Sequence, residues 1–152
     1  MTIEDLVESW KTNNSFCLEL LRLCPEDAFD LKPGKGKTIR SQFVHIIQVR
    51  TQWVAEKLPD VASQVSKLDW KTANREDLHQ GLLHSSVGVE ALLRSLDQSG
   101  KSRSPAQFFG YIVAHDAHHR AQVELTLRLH DKELSDKEMY SLWNWNRKRP
   151  EL

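Results

Sequence analysis

The 152-residue chain has no charge surplus, almost no cysteine and no long apolar run. Lys plus Arg number 21 and Asp plus Glu number 21, so the formal net charge is zero. A nucleic-acid-binding domain usually carries a basic surplus or a basic stripe. Here only Arg147-Lys148-Arg149 approaches one, and it reads as a solvated basic tail, so no nucleic-acid partner is expected. The two cysteines, Cys17 and Cys24, are seven apart in one helical pattern, about 10 Å at about 1.5 Å per residue. That is too far for a disulfide, and free thiols suit a reducing compartment. The opening segment from Met1 to Trp10 is acidic and lacks an apolar run, so no secretory signal is expected. No stretch approaches the roughly 20 apolar residues of a membrane span. Internal repeats and low-complexity tracts are also missing. The expectation is one cytoplasmic globular domain over residues 1–152, with no membrane partner.

What remains is helical periodicity, with no convincing strand. A first helix is expected over about Ile3 to Leu23, capped by Thr2, with Leu6, Trp10, Phe16, Leu20 and Leu23 as its apolar stripe. Pro25 ends it, and Pro33-Gly34-Lys35-Gly36-Lys37 is a turn. The second starts after Thr38 and runs to about Leu58, with Phe43, Ile46, Ile47, Val49 and Trp53 at helical spacing. A longer connection follows, with an irregular turn around Val61 to Val65. The third spans about Arg75 to Leu96 with Asn74 as its cap, and Ser99-Gly100-Lys101-Ser102 breaks it. The fourth opens with Ser104 at the cap and Pro105 at the first helical position and runs to about His130. A short fifth begins at the capping box Ser135-Asp136-Lys137-Glu138 and leads into Trp143-Asn144-Trp145. Four long helices argue for an all-α four-helix bundle with a short C-terminal extra helix. Antiparallel neighbours are the default, but the connection between the second and third helices is long enough to cross the bundle.

The run His115-Asp116-Ala117-His118-His119 lies within the fourth helix, where its histidines interrupt the apolar face. Its expected inward stripe is Phe108, Ile112, His115, His119, Gln122 and Thr126. His115 and His119 are four apart and share a face, so their imidazoles can bind one divalent ion. Two neutral imidazoles in a core would otherwise each need hydrogen-bond partners. The third ligand should come from a facing helix. His45, mid-helix among Phe43, Val44, Ile46 and Ile47, is the best candidate. His79, His84 and His130 are weaker ones, and His118 is a step off the face. Three imidazoles leave positions open for water or substrate, the pattern of a catalytic site. The same run also fits HExxH with Asp for Glu. Asp is one methylene shorter, however, and no β-rich lobe is evident to hold a peptide.

The run from Tyr111 to Gln122 (YIVAHDAHHRAQ) resembles the DinB/YfiT-like metalloprotein superfamily. Its members carry one histidine on the second helix and an HxxxH pair on a later one. Phe43-Val44-His45-Ile46 followed by Arg50 and Trp53 is similar to the second-helix portion, and Trp143-Asn144-Trp145 to a C-terminal tryptophan pattern of some members. Ala121 departs from the Gly that often follows the Arg. The resemblance implies a DinB/YfiT-like four-helix bundle holding nickel, zinc or iron on His45, His115 and His119, and it alone implies a homodimer. Characterised relatives include metal-dependent transferases and isomerases that use low-molecular-weight thiols such as bacillithiol or mycothiol.

The expected function is therefore a metal-dependent thiol transferase, in which the metal lowers the pKa of a small thiol that attacks an electrophilic substrate. Arg50 and Arg120 are the candidates for holding a thiol carboxylate, because the guanidinium fork matches a carboxylate. The alternatives are a hydrolase using metal-bound water, with Asp116 as the one carboxylate base in view, and a non-catalytic bundle that binds metal or a partner helix. Trp10, Trp53, Trp143 and Trp145 read as packing residues, and Cys17 as a buried small hydrophobe.

Overall fold

The computed structural model describes residues 1–97 and 104–146. Six α-helices follow one another: α1 (Ile3–Leu23), α2 (Ile39–Ala55), α3 (Pro59–Ala62), α4 (Arg75–Asp97), α5 (Pro105–Leu129) and α6 (Asp136–Ser141), with a 3-10 turn at Glu26–Ala28. No strand occurs among the described residues. The four long helices expected from periodicity are α1, α2, α4 and α5, and the short fifth is α6. The expected break at Ser99–Ser102 and the basic run Arg147–Arg149 lie outside the described residues.

Local side chains set most helix starts. Thr2 and Asp5 exchange side-chain bonds with each other's backbone N–H, as do Asn74 with Asp77 and Ser135 with Glu138. The Thr38 hydroxyl accepts from Ser41 N at 3.1 Å to open α2. Ser104 makes no side-chain cap bond, so Pro105 alone marks the start of α5. α2 stops at Ala55, earlier than the periodicity suggested. Leu58 precedes Pro59 and adopts φ −129° and ψ 62°, outside the helical region that a following proline disfavours. The irregular turn expected around Val61 is the single turn α3.

Pairwise contacts give the helix directions. α1 and α4 are antiparallel: Glu4 pairs with Arg94 at one end, Trp10 Nε1 donates to Ser86 O at 3.0 Å, and Arg75 donates to Cys24 O at the other end. α2 and α5 are also antiparallel, with Gln42 beside His119 and Trp53 beside Phe108. α2 and α4 run parallel. A Cβ added at Gly81 would lie 2.7 Å from Ile47 Cδ1, and one at Gly88 3.2 Å from Val54 Cγ2. These two glycines, two turns apart on α4, let α2 approach closely. Parallel neighbours need a connection that returns along the bundle, and residues 56–74, including α3, provide it.

The core has an apolar–polar–apolar order that every long helix repeats. One apolar cluster holds Val7, Trp10, Val54, Val89, Leu93, Phe108 and Ile112. The other holds Cys17, Leu20, Phe43, Ile46, Leu78, Leu82, Val123 and Leu127. Between them in each helix lie buried polar residues: Asn13 and Asn14 on α1, Arg50 on α2, Ser85 and Ser86 on α4, and Asp116 and Arg120 on α5. This polar waist sits at mid-bundle, and the histidines lie on its flank.

Candidate metal centre

The structure brings His45 from α2 together with His115 and His119 from α5; one ring nitrogen from each lies within 4.8 Å of the others. His45 Nε2 and His115 Nε2 are 3.5 Å apart. Two nitrogens on one tetrahedral zinc, with bonds of about 2.0 Å, would be about 3.3 Å apart. The ring centroids of His45 and His115 lie 4.5 Å from that of His119. All three residues are half-buried. His118 is exposed and only its ring edge meets His119. His130 caps α5 and its Nε2 accompanies Lys32 O at 2.9 Å, away from the cluster.

The outer nitrogens of the α5 pair each face a polar side chain. Gln42 Oε1 accepts from His119 Nδ1 at 2.7 Å, which leaves His119 Nε2 with the lone pair. Asp116 Oδ1 lies 3.5 Å from His115 Nδ1. Both of these atoms are buried and neither has a hydrogen-bond partner at shorter range. The arrangement is that of a carboxylate facing the back of a metal-binding imidazole. Burial, then the neighbouring His115, His45 and His118 rings and the Lys37 charge, push the His119 pKa down to about 4. Burial, Lys37 and His115 also lower His45. A His119 Nε2 that keeps its lone pair, beside the converging Nε2 atoms of His45 and His115, suits a divalent cation, so the residues present fit a metal ion.

Asp116 is the functional residue that sequence reasoning misplaced. The inward stripe of α5 runs Phe108, Ile112, Asp116, Arg120, Val123 and Leu127, all buried, while His115, His119 and Gln122 sit on its half-buried shoulder. After Ile112 the chain keeps a four-residue step to Asp116, not the three-residue step to His115. At 3.6 residues per turn both steps are compatible with one face. The recognisable signal was Asp116 and Arg120 four apart, in register with Phe108 and Ile112.

Arg50 and Arg120 do not face the open side of the cluster. Arg50 is 0% exposed. Its Nη2 and Nε donate to Asp116 Oδ2 at 2.7 and 3.2 Å, and its Nη1 donates to Asn14 Oδ1 at 2.8 Å. It also stacks over Trp10 at 4.7 Å. Arg120 donates to Asn13 Oδ1 at 2.9 Å and to Cys17 Sγ at 3.3 Å. Asn13 Nδ2 completes the network on Asp116 Oδ2 at 2.8 Å. Burial alone would raise the Asp116 pKa, but the Arg50 charge, the adjacent His115 ring and the bonds from Arg50 outweigh it and hold the carboxyl below its usual range. The arginines therefore serve the waist, because a buried carboxylate needs a paired cation. Of the tryptophans, Trp10 is fully buried and Trp145 meets Phe16 edge-on at 5.2 Å. Trp143 is 70% exposed, contrary to the packing role expected for it.

A search of curated proteins and of solved structures gave no match. The DinB family model matches residues 1–133. That span contains all four long helices and all three clustered histidines. The chain belongs to the DinB family.

Proposed function

We propose that this DinB-family protein is a divalent-metal-dependent transferase that joins a low-molecular-weight thiol to an electrophilic small molecule. The observation that carries this reading is the half-buried cluster of three imidazoles on two facing helices, a donor number that leaves coordination positions for an incoming ligand. A divalent ion held by His45, His115 and His119 would bind the thiol sulfur and lower its pKa, supplying a thiolate at neutral pH. The chain's own residues do the rest. Gln42 and Asp116 orient His119 and His115 from behind. Tyr111 stacks beside His115 at 6.1 Å and meets Trp53 at 5.3 Å, giving the cluster one aromatic wall. In the transfer, the sulfur electron pair forms a bond to the electrophilic carbon. The leaving group departs with its bonding pair, and the thiol proton goes to solvent.

Hydrolysis is less well supported. The carboxylate considered as its base, Asp116, is 0% exposed and engaged by Arg50 and Asn13, so it does not meet substrate.

Elemental analysis of tag-free protein, beside His45→Ala and His119→Ala, tests the reading. The expected result is about one divalent ion per chain, lost in both variants. Metal-loaded protein should then accelerate consumption of a small thiol by an alkyl or aryl halide, and metal-free protein should not. No metal after reconstitution with nickel, zinc and iron would overturn the proposal. Metal without thiol consumption would reduce the protein to a non-catalytic metal-binding bundle.

A further inference from the structure

A pocket of about 150 Å³ lies where the last turn of α2, the last turns of α4 and the first turn of α5 meet. Among the described residues it is lined by Trp53, Leu92, Leu96 and Phe108, with Glu56 and Lys57 beside them. Leu92, Leu96 and Phe108 are buried. Glu56 and Lys57 are exposed and give the pocket a polar edge. An apolar cavity of about 150 Å³ holds a benzene-sized guest, so this one takes a ring or a short alkyl segment and not a partner helix.

The two helices fix where the pocket lies relative to the histidines. Phe108 precedes His115 by seven residues on α5, about 10 Å along the axis. Trp53 follows His45 by eight residues on α2, about 12 Å along the axis. Because α2 and α5 are antiparallel, both displacements point the same way. Tyr111 spans the interval: its ring stacks on His115 at 6.1 Å and meets Trp53 edge-on at 5.3 Å, and Trp53 meets Phe108 at 5.9 Å. Tyr111 is 44% exposed and Trp53 is half-buried, so both rings are open in part to an incoming molecule. The interval also lacks available charge. Residues 108–114 of α5 include no charged side chain, and between His45 and Trp53 on α2 the only one is Arg50, which is committed to Asp116.

We infer that the electrophile carries an apolar tail, which lies along Tyr111 and Trp53 and ends in the pocket formed with Leu92, Leu96 and Phe108. That the tail belongs to the reacting molecule rests on the transferase reading above; that the pocket takes an apolar group rests on its lining alone. A short electrophile reaches the histidine cluster without filling the pocket, so tail length should set selectivity.

N-propyl, N-hexyl and N-nonyl chloroacetamide carry one reactive carbon on tails of increasing length. With 2-mercaptoethanol as the thiol, sulfur bonds to that carbon, chloride leaves with the bonding pair and the thiol proton goes to solvent. In metal-loaded protein, kcat/KM should rise about threefold for each methylene that enters the pocket, while the reaction without protein stays level. Leu96→Phe fills the pocket and should lose the nonyl advantage with its metal content unchanged. Leu96→Met conserves volume and should keep it. A second measurement needs no chemistry: 1-heptanol added to metal-free protein should shift the Trp53 indole NMR signal in wild type and Leu96→Met, but not in Leu96→Phe. Turnover that ignores tail length would overturn the inference and leave the transferase reading standing. A nonyl advantage that survives in Leu96→Phe would also overturn it, because the tail would then lie elsewhere. If no chloroacetamide is consumed, the transferase reading falls and 1-heptanol decides the pocket. A Trp53 shift that Leu96→Phe abolishes keeps the apolar site, and no shift in wild type removes it as well.

Discussion

Asp116 divides its two oxygens between two tasks. Oδ2 receives Arg50 and Asn13 from the core, and Oδ1 faces His115. The two tasks separate on mutation. Asp116→Ala leaves Arg50 as an unpaired buried charge and should cost about 3–5 kcal/mol in denaturant unfolding. Gln42→Ala removes only the partner of His119, so it should leave the fold in place and weaken metal binding about 10- to 100-fold by competition with a chelator. Cys24 offers a pH test far from the cluster. Burial pushes its thiol up to about 12, with Arg75 opposing. Its contribution to stability is present below the ordinary thiol pKa near 9 and is lost as pH rises from there towards about 12, because the unfolded chain ionises first. Wild type should therefore lose more stability than Cys24→Ala over that window; equal loss would show that Cys24 is not buried as described. At this scale the three histidines were legible because His115 and His119 stand four apart on one helix and His45 sits among apolar residues in the middle of another. The burial of Arg50 was not, because nothing near it in sequence reveals a partner that lies 66 residues away.

Helix ends were readable wherever a short polar side chain meets a backbone N–H three residues on, as at Thr2, Thr38, Asn74 and Ser135. These contacts are local, so the sequence contains both partners. The C-terminus of α5 uses a different device. Lys132 N bonds Leu127 O at 2.9 Å and Asp131 N bonds Arg128 O at 3.3 Å, closing a Schellman turn with Asp131 at φ 56°. An L-residue pays for that conformation and glycine does not. Asp131→Gly should raise stability by up to about 1 kcal/mol, a few degrees in melting temperature; a decrease would show that the Asp131 side chain does more than fill the turn. On α5 itself, periodicity identified the helix but not its rotation. A turn of 3.6 residues lets Ile112 be followed inward by residue 115 or 116, and the neighbours of α5 select Asp116 because Arg50 and Asn13 wait there.

Across the molecule, a polar waist between two apolar clusters ties all four long helices to the back of the histidine cluster. A metal ion held by His45, His115 and His119 would cross-link α2 and α5, two helices that are distant in sequence. Melting temperature should rise with free metal concentration as mass action requires, and the rise should vanish in His45→Ala. An equal rise in that variant would place the metal elsewhere. The sequence by itself determined the helices, most of their caps, the all-α class and the three histidines, since each depends on residues within a few turns of one another. Tertiary structure alone decided that α2 and α4 run parallel and that α5 turns Asp116 and Arg120 inward. Those outcomes depend on which buried charge finds its counter-charge, and the partners belong to different helices, so no local pattern could contain them.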